Sequence, residues 1–301
     1  MNDFLSKLNI KPYKYKYINK ALIIYSDNIY VLKKNSYKNR IYKYLDSTDF
    51  KNYIKPIKEN ENFYLYNFLN DNSIDDNDKS LNLINELSNL HSNTISFKEL
   101  NLDRLKEIKE TYENKIDYLY KYYNNLEDSY NKDSLYSPST YLFLRNVSKI
   151  YYNLDFSKNL IKIFYDKASK NNKYKECLIL GKVRLDNFIN NKFTNFDHSL
   201  IKSPLYDLID FYKEYYDKVS FNELYKVYKE NLKLNRLEEL FFMLSISVPY
   251  KITFKGDNYV DTLIVHKLIN YIDITKKFII SNNKIYLENN NDKENKENDS
   301  I

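Results

Sequence analysis

The sequence predicts an α+β chain of two lobes, a small β-rich amino-terminal one over residues 1–75 and a larger helical one over 76–285. Three observations predict it. Residues 13–69 run as short β-branched and aromatic stretches around one helix-period stretch, giving β-β-β-α-β-β. Residues 70–79 (NDNSIDDNDK) interrupt that pattern with polar side chains, and from residue 80 onward apolar residues recur at helical spacing. Other α+β arrangements share this pattern, so the motifs have to narrow it.

Taken in order, YKYKYIN from residue 13 alternates strictly and reads as a half-exposed strand with its lysines on the solvent face. ALIIYS follows, then a Ser26-Asp27-Asn28 turn, then IYVLKK. Residues 37–48 read as a helix, and YIKPI and NFYLYNFL within 53–69 return to strand character. Leu105, Ile108, Tyr112, Ile116, Leu119, Tyr123 and Leu126 mark one face of a long helix. The next helix opens with Ser137 as N-cap and Pro138 at its first position. Further helices are expected over 205–217, 221–232, 236–247 and 259–272. Between the long helices and these lies a different pattern. An apolar run from Cys177 to Leu180 breaks at Gly181, a loop ends at Asn187, and a short strand pair over 188–195 leads to Asp197. The tail 286–301, which carries ENNNDKENKENDSI, has too few apolar residues to offset its ordering entropy and is expected to be disordered.

Composition narrows the function classes. The net charge is +6, but the basic residues are scattered among 41 acids and all but five are lysines, which argues against nucleic acid as a partner. The abundance of Lys, Asn, Ile and Tyr, with 33 tyrosines, reads as a genome-wide bias that gives no single tyrosine weight. One cysteine, Cys177, allows no internal disulfide and suits a reducing cytoplasm. The opening MNDFLSKLNIK has no apolar signal core, and the longest apolar stretch, 240–248, is too short to be a transmembrane segment. The expected location is therefore cytoplasmic. Gly181 and Gly256 are the only glycines, which excludes the Walker A and dinucleotide fingerprints. His91, His198 and His266 have no zinc-ligand spacing, and His91 is expected to cap its helix.

Three stretches carry a resemblance: LINELSNLHSNT at 83–94, SPSTYLFLRNVSKIY at 137–151, and GKVRLDNFI with FDHSLIKSPLYDL across 181–208. On these the chain resembles the aminoglycoside phosphotransferase and choline kinase-like superfamily, and looks closest to the spore-coat-associated kinase-like proteins of Firmicutes. The resemblance covers about residues 15–280 and implies a bilobal protein kinase-like fold, with ATP and Mg²⁺ as cofactors. In that superfamily the catalytic loop reads like HGDLHPGN. A second motif reads like IDW or IDF, followed by a P-x-x-D-L element. Aligned without gaps, Leu180 takes the histidine position, Gly181 matches the glycine, Lys182 falls on the catalytic aspartate and Asn187 matches the metal-binding asparagine. Asp197 sits beside the metal aspartate's position, and Pro204 and Asp207 match the element after it. Lys33, after Val31-Leu32, takes the place of the lysine that holds the nucleotide phosphates. The helix expected to offer that lysine a glutamate, KNRIYKYLDST at 38–48, has none.

Phosphoryl transfer needs a phosphate-holding lysine, oxygen ligands for Mg²⁺ and a carboxylate to accept the proton of the attacking hydroxyl. Lys33, Asn187 and Asp197 meet the first two needs as nucleotide-binding residues, with Asn187 and Asp197 as the metal pair. Lys182 removes the third, because a charged amine accepts no proton. Asp186, four residues on, is the replacement base if there is one, and a turn residue if there is not. The leading reading is a pseudokinase acting by binding, to a protein partner or a small hydroxyl-bearing ligand. The enzymatic alternative is an active ATP-dependent small-molecule phosphotransferase, and the structural alternative is a spore or envelope-associated scaffold without ligand.

Overall fold

Five short strands, the three inner ones rich in Ile, Leu and Tyr, pair into an antiparallel sheet in the computed structural model, which describes residues 1–18, 21–34, 39–72, 75–99, 101–132, 135–170 and 173–282. After a short helix α1 (Asn2–Ser6) come β1 (Lys14–Ile18), β2 (Ala21–Tyr25), β3 (Ile29–Lys34), α2 (Asn39–Asp46), β4 (Lys58–Glu59) and β5 (Phe63–Asn67). The sheet order is β1-β2-β3-β5-β4. The β2–β3 turn is the expected one, closed by Ser26 N–H and Oγ–H, which both donate to the Asn28 carbonyl at 3.0 and 2.7 Å. One face of the sheet packs Leu22, Ile24, Leu32 and Leu65 against Leu5 of α1.

Two strand expectations need correction. All five residues of β1 are exposed, so the lysine–tyrosine alternation has no buried side to mark. YIKPI is not a strand. Tyr53 forms an isolated parallel bridge to Phe193, and Pro56, lacking an N–H, cannot extend a ladder.

The remaining elements are α3 (Asp76–Thr94), β6 (Ser96–Glu99), α4 (Leu102–Tyr130), α5 (Pro138–Ala168), β7 (Lys173–Ile179), β8 (Phe188–Ile189), β9 (Lys192–Phe193), β10 (Leu200–Lys202), α6 (Leu205–Tyr215), α7 (Phe221–Leu232), α8 (Arg236–Ser247) and α9 (Asn258–Asn282). They divide with the sheet into two compact units. The first comprises Met1–Ser96, Lys175–Phe211 and Glu223–Lys233; the second comprises Phe97–Tyr174, Tyr212–Asn222 and Leu234 onward. The expected tail at 286–301 lies outside the described residues.

In the second unit α5 packs against α4, α8 and α9. Its start matches the sequence reading, with Ser137 accepting from Thr140 N–H at 3.1 Å and Pro138 at the first turn. Asn235 and Glu238 form a reciprocal capping box at the start of α8. α9 runs ten residues past the expected 272, to Asn282, because Thr275, Phe278 and Ile279 continue its buried face with no glycine or proline to stop it. Tyrosine hydroxyls tie the unit together by donating to backbone carbonyls: Tyr123 to Tyr250 at 2.7 Å, Tyr122 to Ile252 at 2.8 Å and Tyr271 to Ile246 at 2.6 Å. No described helix is long and apolar enough to cross a membrane.

Burial holds many of these phenols protonated. It pushes Tyr250 up to about 12 and raises Tyr123, Tyr151, Tyr212 and Tyr271 as well. A folded pKa above the unfolded value of 10.0 gives stability that is complete below pH 10 and declines as pH rises through the folded values. Stability should therefore fall between about pH 10 and 12. Phenolate absorbance should rise in two steps, the exposed tyrosines first and the buried ones together with loss of circular dichroism. A single smooth rise with the fold intact would contradict this.

Candidate functional site

Strand β7 ends at Ile179 and delivers the chain to Leu180 and Gly181, whose amides point at one carboxylate. Asp207, on the first turn of α6, accepts from Leu180 N–H at 2.7 Å and from Gly181 N–H at 2.8 Å. The same carboxylate bonds His91 Nε2 at 3.1 Å, and His91 Nδ1 bonds the Tyr228 hydroxyl at 2.8 Å. Tyr228 donates to the Pro204 carbonyl at 3.0 Å, closing the network back onto the start of α6. The side chains of both His91 and Asp207 are 0% exposed. His91 is thus not a helix cap; it lies on the buried face of α3 and ties that helix to α6 and α7.

Gly181 is needed for two reasons. Its φ is +71°, in the left-handed region, and a Cβ there would lie 2.3 Å from the His198 carbonyl oxygen. The turn carrying Asp197 and His198 therefore rests directly on the loop backbone. Arg184 fixes the next step, donating from Nη1 to Asp210 at 2.6 Å while Val183 N–H donates to the same carboxylate at 2.9 Å. A 3-10 turn, Leu185–Asn187, then leads into the β8–β9 hairpin. The hairpin turns through Asn190 and Asn191, both in the left-handed region that suits asparagine. Thr194 after the hairpin donates twice to the Asn187 carbonyl, from N–H at 2.9 Å and from Oγ1 at 3.1 Å.

Lys33 reaches this loop from β3. Its ammonium donates to the Thr194 carbonyl at 3.2 Å and lies over the Tyr66 ring, 5.6 Å from the centroid. Burial lowers its pKa, and the charge of Asp197 opposes that shift. Tyr42 of α2 bonds the Tyr66 hydroxyl at 2.9 Å, and its ring meets Phe196 edge-on at 6.0 Å. Burial pushes Tyr42 up to about 12 and raises Tyr66 further.

Of the residues singled out from the sequence, Lys33 and Asn187 both meet Thr194, and the charge of Asp197 acts on Lys33. Lys182 and Asp186 are exposed on the same loop, and Asp197 is exposed on the turn behind it. The Asp186 carboxylate makes no hydrogen bond or ion pair among the described residues. Sequence reasoning missed the braces His91, Tyr228 and Asp210, and the phenols Tyr42 and Tyr66. The one available signal was the P-x-x-D match, which marked Asp207 without revealing what it holds.

Asn187 engages the turn through its backbone and leaves its carboxamide uncommitted among the described residues. No group of three or more His, Cys, Asp or Glu among the described residues is placed to hold a metal unaided. One carboxylate and one carboxamide suit Mg²⁺ carried in by phosphate oxygens, the usual way this ion binds such sites.

No protein-family model matches the chain, and no curated protein matches it in sequence. Solved structures do. An aminoglycoside phosphotransferase from Alicyclobacillus acidocaldarius is similar over 91% of this chain and 92% of its own, with a TM-score of 0.66 at 10% identity. The chain has the kinase-like α+β fold. An AMP-bound spectinomycin phosphotransferase matches over 91% of this chain and 97% of its own, with a TM-score of 0.57 at 13% identity. Its complex with ADP and spectinomycin gives 0.53 at 11% identity, over 92% and 98%. At such identities the likeness establishes the fold, as the resemblance implied.

The two glycines allow an internal comparison. Gly256 has φ +84° with nothing near its Cβ position, so Gly256→Ala should cost only the backbone strain, about 1–2 kcal/mol. Gly181→Ala adds the clash with the His198 carbonyl and should lower the melting temperature at least about twice as far. Equal losses for the two variants would show that the approach to His198 relaxes freely.

Proposed function

We propose that this chain is a kinase-fold phosphate binder that transfers phosphate very poorly, a pseudokinase of the aminoglycoside phosphotransferase type. The observation that carries this reading is the exposed Lys182 on a fully braced loop. Asp207 holds the loop amides, Gly181 rests on His198 and Arg184 is locked to Asp210, so the loop keeps its frame while position 182 carries an ammonium in place of a proton acceptor. ATP is the ligand this reading assigns, with the phosphates on Lys33 and with Asn187 and Asp197 as the oxygen donors for Mg²⁺. The ion would supply charge neutralisation on the phosphate oxygens. The small lobe 1–75 and helical lobe 76–285 are assigned as in that fold. A protein partner or a small hydroxyl-bearing ligand would then be bound without turnover, in the cytoplasm.

Asp186 supports a second reading. Its exposed carboxylate, uncommitted among the described residues and adjacent to Asn187, is the one group on the loop with the chemistry of a base. On that reading the chain is an active small-molecule phosphotransferase.

Calorimetry with ATP, with and without Mg²⁺, and a phosphotransfer screen over sugars, choline-like alcohols and aminoglycosides separate the readings. The first predicts ATP binding that Lys33→Met abolishes and Asp197→Ala weakens in its Mg²⁺-dependent part. It also predicts turnover depressed on the order of 10²- to 10⁴-fold by the missing base, and a gain on Lys182→Asp. Wild-type turnover near 1 s⁻¹, roughly the lower end for kinases, would overturn it, and loss of that turnover in Asp186→Asn would identify the base. No ATP binding under either condition would leave the ligand-free scaffold.

A further inference from the structure

Lys33 has an unusual set of neighbours for a half-buried lysine. In the β3–β5 ladder it pairs with Tyr64, and Val31 pairs with Tyr66, so Lys33, Tyr64 and Tyr66 share one face of the sheet. Tyr66 is the diagonal neighbour, which is how its ring comes to lie beneath the ammonium. The ring is held from its far end by the Tyr42 hydroxyl. Tyr42 itself sits among Tyr53, Tyr64 and Phe196, with ring centroids 6.0 to 6.3 Å away. The carboxylate on the described part of α2, Asp46, is engaged by Tyr53 and Lys55 and does not serve Lys33. The acceptor that Lys33 does have is the neutral Thr194 carbonyl.

We propose that Tyr42 and Tyr66 are positioning residues for Lys33: a neutral phenol pair that orients the ammonium toward an anionic phosphate ligand while leaving its charge unspent on a carboxylate of α2. The proposal deepens the phosphate-binding reading above and rests on it for the ligand. Its physical content is that orientation and charge are supplied by different groups. A ring face fixes an ammonium in direction without neutralising its charge. The Tyr42 hydroxyl fixes the ring, because a single hydrogen bond at the phenol end stops it from swinging away from the sheet. Both phenols stay protonated well above neutral pH because they are buried, so neither competes with the ligand for the lysine's charge. Phe196 ties this arrangement to the loop, since it packs against Tyr42 and precedes Asp197 in the chain.

The test uses full-length protein with lysines reductively dimethylated with ¹³C, a change that preserves the positive charge. The Lys33 signal is assigned by its loss in Lys33→Arg. Methyl groups over a ring face are shifted upfield, so this signal should stand apart in the wild type and return to the bulk position in Tyr66→Leu. Tyr42→Phe, which removes one hydroxyl and leaves both rings, should reduce the displacement by more than half. In unmethylated protein it should also weaken ATP binding about threefold to tenfold, the size expected for a lost ring–cation contact. Tyr66→Phe should behave in the same way, and the double Phe variant should be no worse than either single one, because the pair shares one bond. An undiminished displacement in Tyr42→Phe, in protein with unchanged melting, overturns the proposal. So does a lost displacement with unaltered ATP affinity, or additive losses in the double variant. If the wild type binds no ATP, the phosphate-binding reading falls, while the ring displacement still decides whether the phenol pair orients Lys33.

Discussion

The carboxylate of Asp207 is the constraint on which the loop depends. It is fully buried, so its charge has no water to fall back on and must be met inside the protein. Two backbone amides and one imidazole meet it, drawn from β7's end and from α3. Removing such a group leaves several buried donors without an acceptor, which costs more than any single bond contributes. The start of the loop is therefore fixed by electrostatic need, independently of what the exposed side chains at 182 and 186 do.

That separation explains how a loop can keep its shape while its chemistry changes. The parts that set its path are all engaged by the protein itself: the left-handed Gly181 beneath His198, Val183 and Arg184 on Asp210, and Asn187 receiving Thr194. Lys182 and Asp186 face solvent and bear none of this load, so a change at either position leaves the frame intact. The surroundings of Lys33 follow a related logic. Aromatic rings there exclude water, which lowers the lysine's pKa and raises those of the phenols, and the charge of Asp197 opposes the lysine's shift.

Much of the fold could be read from periodicity and caps. Ser137 before Pro138, the apolar runs of β2 and β3 on either side of the Ser26-Asp27-Asn28 turn, and the helical face from Leu105 to Leu126 are local signals, and local signals survive in a sequence. β1 misled because its strict alternation of lysine and tyrosine looks like a half-buried strand, whereas only neighbours in space decide whether a face is covered. Tyr53 misled for a similar reason, since its bridge to Phe193 joins segments 140 residues apart in the chain. His91 and Tyr228 were hidden because each is an ordinary residue on an apolar face, and their significance, like that of the Asp207 that the P-x-x-D match did mark, lies in meeting one another. Tyr42 and Tyr66 were hidden by abundance: with 33 tyrosines in the chain, none stands out until its hydroxyl is seen to have a partner.

Cys177 is the lone thiol, and its place gives it an unplanned use. It pairs with Lys202 in the β7–β10 ladder, is fully buried, and lies three residues before the first amide held by Asp207. Burial, with Asp207's charge adding to it, keeps the thiol protonated and so unreactive in the closed state. A thiol reagent can reach it only when β7 separates from its neighbours. Its modification rate then counts the openings of the segment from which the loop is suspended. The molecule carries a built-in clock for the loosening of that foundation, readable without adding any probe to the sequence.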